Sequence, residues 1–102
     1  MKARGKIKLP STLIADFCRK RHIVKLSLFG SHLTGNAHPG SDLDLLVEFD
    51  SQHIPGFLTL AEMELELAEL LGLKVDLRTA DDLSRYFRQE VVENAEVQYV
   101  RS

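Results

Sequence analysis

The stretch Leu28-Phe29-Gly30-Ser31-His32-Leu33-Thr34-Gly35-Asn36-Ala37-His38-Pro39-Gly40-Ser41-Asp42-Leu43-Asp44-Leu45-Leu46-Val47-Glu48-Phe49 decides how this chain folds. An apolar run ends in Gly-Ser, a loop rich in Gly, Pro and Asn follows, and a second apolar run opens with two aspartates one residue apart. The run 23–29 alternates loosely and stops at Gly30, which predicts a buried strand. The loop 30–41 contains three glycines and one proline, too many breakers for regular structure throughout. A short helical turn starting near Ser31 would still aim free backbone N–H groups toward Gly30. A second strand is expected at about 42–49, with Leu43, Leu45, Val47 and Phe49 on one face and Asp42, Asp44, Leu46 and Glu48 on the other.

Aspartate is disfavoured inside strands, so Asp42 and Asp44 on one face call for an explanation. Their Cα atoms would stand about 6.6 Å apart with both carboxylates projecting the same way. Such a pair repels unless a cation balances it, and Mg2+ accepts a few carboxylates together with water and phosphate oxygens. A bare Asp-x-Asp is common by chance, and solvent-facing residues at a ragged strand start would account for it equally well. The Gly30-Ser31 turn shifts the balance. Gly30 leaves no side chain between backbone and ligand, and Ser31 offers a hydroxyl and an N–H to a phosphate oxygen.

Working outward, a first helix is expected from about Ser11 or Thr12, either a fit N-cap after Pro10, to about Arg21. Leu13, Ile14, Phe17 and Cys18 form its apolar stripe, which makes Cys18 a packing residue rather than a nucleophile. Arg19, Lys20 and Arg21 read as cations at the helix C-terminus. A helix over 57–71 should end at Gly72. Glu62, Glu66 and Glu69 cluster on its solvated face, whereas Glu64 falls among apolar residues. Apolar residues cover more than half of this helix, so it packs on two sides or meets another chain.

The strict alternation of 73–78 predicts a third strand with Asp76 opposite Leu73, Val75 and Leu77. Should that strand neighbour the second, Asp76 becomes a third carboxylate, and three carboxylates can hold two metals about 4 Å apart. Thr79 with Asp82 resembles a capping box opening a helix to about Asn94 that carries Leu83, Tyr86, Phe87, Val91 and Val92. Gln98-Tyr99-Val100 would add a last short strand or an extended tail. The fold class expected is α/β, a small mixed β-sheet flanked by helices.

At 102 residues the chain has room for one core and no second lobe: a basic, flexible terminus over 1–9 and a single domain over 10–102. A 44% hydrophobic and 27% charged composition is that of a soluble globular protein. The net charge of −2 argues against a surface that coats nucleic acid, so direct nucleic-acid binding is not expected. Lys2, Arg4, Lys6 and Lys8 are not followed by an apolar stretch, so neither a signal peptide nor a membrane span is expected. Cys18 is alone, which suits a cytoplasmic setting. The histidines at 22, 32, 38 and 53 lack zinc-site spacing.

Phe29-Gly30-Ser31, Gly35, Ser41-Asp42-Leu43-Asp44-Leu45 and Val75-Asp76-Leu77 together resemble the minimal nucleotidyltransferases of the DNA polymerase β superfamily, the MNT-type proteins often encoded beside a HEPN-domain partner. The resemblance runs from roughly Pro10 to the end of the last helix and implies a polymerase β-type nucleotidyltransferase fold. It implies that Gly30 and Ser31 bind the nucleotide triphosphate, with Ser41 among the nucleotide contacts. Asp42 and Asp44 would ligate Mg2+, two ions in the family pattern, and Asp76 would complete the set and help activate the acceptor hydroxyl. His32 and Thr34 stand where many relatives carry basic residues, a departure that bears on turnover more than on metal binding. Arg78, Arg85 and Arg88 are the candidates to supply that charge, and each is equally at home as a solvated residue.

The function the resemblance implies is Mg2+-dependent transfer of AMP from ATP onto a hydroxyl, such as a tyrosine, of a HEPN-type toxin, with the chain acting as antitoxin. The rival is a non-catalytic antitoxin that covers its partner, chiefly through the apolar helix 57–71. A third reading is a nucleotide-sensing module that binds ATP and modifies nothing. Homo-oligomerisation is left open by the sequence.

Overall fold

The computed structural model describes residues 8–30, 33 and 42–101. The elements run α1 (Ser11–Lys20), β1 (Ile23–Phe29), β2 (Leu43–Phe49), α2 (Phe57–Leu71), β3 (Val75–Arg78), a 3-10 turn (Ala80–Asp82), α3 (Arg88–Asn94) and β4 (Glu96–Val100). The sheet order is β3-β2-β1-β4. β1 is antiparallel to both β2 and β4, and β2 is parallel to β3, so the sheet is mixed as expected. The parallel pair needs a crossover, and α2 provides it.

Alternation along β2 and β3 sorts the side chains. Leu43, Leu45, Val47, Val75 and Leu77 are buried against the helices together with Leu26 and Leu28 of β1. Ile14, Phe17 and Cys18 of α1 and Met63 and Leu67 of α2 close the same core from above. Removing buried methylenes here, as in Leu45→Ala, would cost about 2–5 kcal/mol. Asp42, Asp44, Leu46 and Asp76 are only half-buried on the opposite sheet face. Segregation by strand period thus delivers the carboxylates to one surface. No helix among the described residues is long and apolar enough to cross a membrane.

Several expectations are sharpened or corrected. Pro10, not Ser11 or Thr12, is the N-cap residue of α1, and both of those lie inside the helix. Gly72 takes the left-handed conformation at φ +76° and closes α2, as its sequence position predicts. Glu66 is not a bystander on a solvated face. It accepts hydrogen bonds from Lys20 Nζ at 2.6 Å and Arg21 Nε at 3.0 Å, pinning α2 to the end of α1. Glu64, the misfit of the helix, accepts the Leu77 N–H at 2.7 Å, satisfying a backbone donor on the outer edge of β3.

The single helix expected over 79–94 is broken. The Thr79–Asp82 capping box forms, but it opens only the 3-10 turn, because Leu83 leaves it with extended backbone and buries its side chain. Of the apolar residues expected on that helix, Leu83 is buried whereas Tyr86 is 85% exposed. Burial of Leu83 overrides helical propensity across this segment.

Asp50 anchors the far end of the sheet, accepting the Gln52 N–H and Arg101 Nη1, both at 2.9 Å. The Gln52 N–H first, then Arg101, hold its carboxyl at about 2. Lys20 and Arg21 lower Glu66 in the same direction. A carboxyl lowered by folding stabilises above its unfolded value and loses that contribution as pH falls through the folded one. Thermal melts should therefore lose stability as pH drops from about 4, the ordinary aspartate value, toward about 2, the value of folded Asp50. Asp50→Asn should flatten part of that slope; an identical slope in the variant would contradict the assignment.

Candidate active site

The site grows out of the place where β1 stops. Gly30 follows β1 at φ +80°, a left-handed conformation that L side chains rarely adopt. The β1–β2 register pairs Phe29 with Asp44, which brings the Gly30 backbone beside the Asp44 side chain. A Cβ added at Gly30 would collide with Asp44 Oδ2 and come within 3.0 Å of its Cγ. Conformation and space therefore demand glycine independently. Leu33 is helical and donates its N–H to the Gly30 carbonyl at 3.0 Å, consistent with the short helical turn expected after β1.

The parallel β2–β3 register places Asp76 directly opposite Asp44. Adjacent strands lie about 4.8 Å apart, so Gly30, Asp44 and Asp76 form a line across three neighbouring strands. Asp42 sits one strand repeat before Asp44, half-exposed, with Oδ2 4.0 Å from Lys74 Nζ. Ser31 and Ser41, expected at the nucleotide, lie outside the described residues, as do His32 and Thr34.

Positive charge reaches the site from β3. Arg78 donates from Nε at 3.2 Å and Nη2 at 3.1 Å to a single oxygen of Asp76, Oδ2. Asp76 raises the Arg78 pKa further above its already high value, with Asp44 and Asp82 acting in the same direction. Of the three arginines considered from sequence, Arg78 is the one shown on a site carboxylate. Arg85 lies over the Tyr86 ring at 5.4 Å, and Arg88 donates to the Leu83 carbonyl at 3.0 Å. Lys74, on the face of Asp76, was not foreseen. The alternation that identified Asp76 puts both Lys74 and Arg78 on its face, so this ladder of charge was readable.

Among the described residues, no three His, Cys, Asp or Glu side chains converge to hold a metal ion as they stand. The donors nonetheless suit a hard divalent cation: they are carboxylate oxygens, half-buried, and the missing Cβ of Gly30 leaves room for the Asp44 carboxylate among them. His22 and His53 stack on each other at a ring separation of 3.8 Å and belong to a different region. Burial pushes the Cys18 thiol up to about 12, which leaves it a packing residue and no nucleophile.

Gly30→Ala should destabilise the fold by about 1–3 kcal/mol through backbone strain and collision. In an Asp44→Ala background the same change should cost less, since only the strain remains. Denaturant unfolding of the four proteins measures this; strictly additive losses would refute the contact.

The profile of the nucleotidyltransferase domain family matches residues 11–99. Protein adenylyltransferase MntA of Thermococcus cleftensis is 40% identical over 76 residues, 74% of this chain and 73% of that protein. A Methanocaldococcus jannaschii protein assigned as a protein adenylyltransferase is 35% identical over 74 residues, 72% of this chain and 74% of that one. A toxin–antitoxin complex solved with AMP-PNP superposes with a TM-score of 0.75 at 25% identity, over 92% of this chain and 76% of that one. The profile spans Gly30, Asp42, Asp44 and Asp76 alike, and the chain belongs to the nucleotidyltransferase domain family.

Proposed function

We propose that this nucleotidyltransferase moves AMP from ATP onto a hydroxyl, such as that of a tyrosine, of a HEPN-type toxin and so acts as its antitoxin. The observation that carries the proposal is the in-register pairing of Asp44 with Asp76 beside the glycine that ends β1. Its support from relatives is the protein adenylyltransferase name of the Thermococcus cleftensis protein and the AMP-PNP bound in the toxin–antitoxin complex.

Asp42, Asp44 and Asp76 would hold Mg2+, two ions in the fullest form. Bound there, the metal would offset phosphate charge and ease deprotonation of the acceptor. The chain's own groups do the rest. The Gly30 turn admits the β and γ phosphates close to backbone, with Ser31 and Ser41 as further contacts. The acceptor oxygen attacks the α-phosphorus in line; the new O–P bond forms as the bond to the bridging oxygen breaks and pyrophosphate leaves. Asp76 receives or directs the hydroxyl proton. Positioning supplies most of the acceleration, because little covalent chemistry falls to the protein. The reaction is placed in the cytoplasm, where ATP and Mg2+ are abundant.

A second reading has its own observation. Phe57, Leu58 and Leu65 on one face of α2 are 85%, 76% and 72% exposed, an unusual density of apolar side chains in water. An antitoxin that neutralises by covering its partner would use such a face. Substitution separates the two. Asp42→Asn with Asp44→Asn should abolish AMP labelling of the partner, by at least about a hundredfold given the electrostatic share of such catalysis, while leaving the complex intact. Intact-mass measurement of the partner after incubation with ATP and Mg2+ reads the result; undiminished labelling in the double variant would sink the site assignment.

A further inference from the structure

The Arg78 guanidinium is bound to the very carboxylate that the metal reading requires. Both of its hydrogen bonds end on Asp76 Oδ2, and the charges of Asp44 and Asp82 add to its hold. Asp76 is half-buried and Arg78 about half-exposed, so the carboxylate is fixed by its strand while the guanidinium stands on the solvent side of it. The Thr79–Asp82 capping box locks the chain immediately after Arg78, which limits where the arginine backbone can go. A forked, permanently charged donor makes a stronger and more directional seal than a lysine would.

We infer that Arg78 is a positioning residue that acts through Asp76, sealing the carboxylate site against a bare divalent ion until a metal–nucleotide arrives. The inference rests on the metal–nucleotide reading of this site. Arg78 and a cation contend for the same oxygen of Asp76, and like charges resist sharing the space between Asp44 and Asp76. A bare ion offers the displaced guanidinium nothing. A nucleotide brings phosphate oxygens, whose geometry a guanidinium matches in pairs, so the arginine exchanges one anionic partner for another.

The test uses Mn2+ alone, followed by electron paramagnetic resonance of the free ion, on the full-length protein. Arg78→Gln should tighten Mn2+ binding about fivefold to tenfold, from loss of the competing charge. Arg78→Lys, which keeps the charge and gives up the fork, should fall between Gln and wild type. In an Asp76→Asn background Arg78→Gln should have no effect, since the seal acts through that carboxylate. Unchanged or weaker Mn2+ binding in Arg78→Gln, weaker binding than wild type in Arg78→Lys, or an undiminished effect without Asp76 would each overturn the inference, with thermal melts confirming that the variants are folded. No Mn2+ binding by Arg78→Gln as well as by wild type would instead overturn the metal reading of the site itself, and the sealing role with it.

Discussion

The close approach of the Gly30 backbone to the Asp44 carboxylate sets the rest of the site. It requires a glycine at φ +80°, and it requires β1 and β2 to pair with Phe29 opposite Asp44. The parallel docking of β3 then needs only its register to deliver Asp76 opposite Asp44. That register is held from both sides. Val75 and Leu77 are buried beneath the sheet, while Glu64 of α2 accepts the Leu77 N–H on the outer edge. A slip of one residue would turn Asp76 into the core and Val75 into water, a large cost in each direction.

Much of this architecture is legible in the chain. The strict alternation of β2 and β3 and the left-handed stop at Gly72 depend on local pattern, and local pattern is what a sequence displays directly. Strand order, and with it the meeting of Asp44 and Asp76, could be posed from the sequence only as a condition, because pairing is set by contacts between residues far apart. The segment after Thr79 shows the same limit from the other side. Its capping box was correctly located, but burial of Leu83 decides where the chain goes next, and no periodicity announces that. Glu64 stood out as polar among apolar neighbours; its purpose became visible only once an edge strand with an unpaired N–H was beside it.

The charges around the site form a balanced set rather than a bare acidic patch. Lys74, just before β3, lies by Asp42, and Arg78 at the end of β3 grips Asp76. Two carboxylates on adjacent strands are costly without such balance. Of this charge, the Arg78 guanidinium reaches Asp76 from β3 itself. Asp50 with Arg101 and Glu66 with Lys20 and Arg21 sit far from this chemistry and serve to tie strand and helix ends together.

The central claim is that the line Gly30–Asp44–Asp76, with Asp42 beside it, is where a metal–nucleotide binds. Anomalous scattering from Mn2+ in crystals grown with AMP-PNP addresses it most directly. The account predicts manganese between the Asp44 and Asp76 carboxylates with the triphosphate running along the Gly30 turn. Manganese and nucleotide located elsewhere on the protein, with these carboxylates uninvolved, would contradict it.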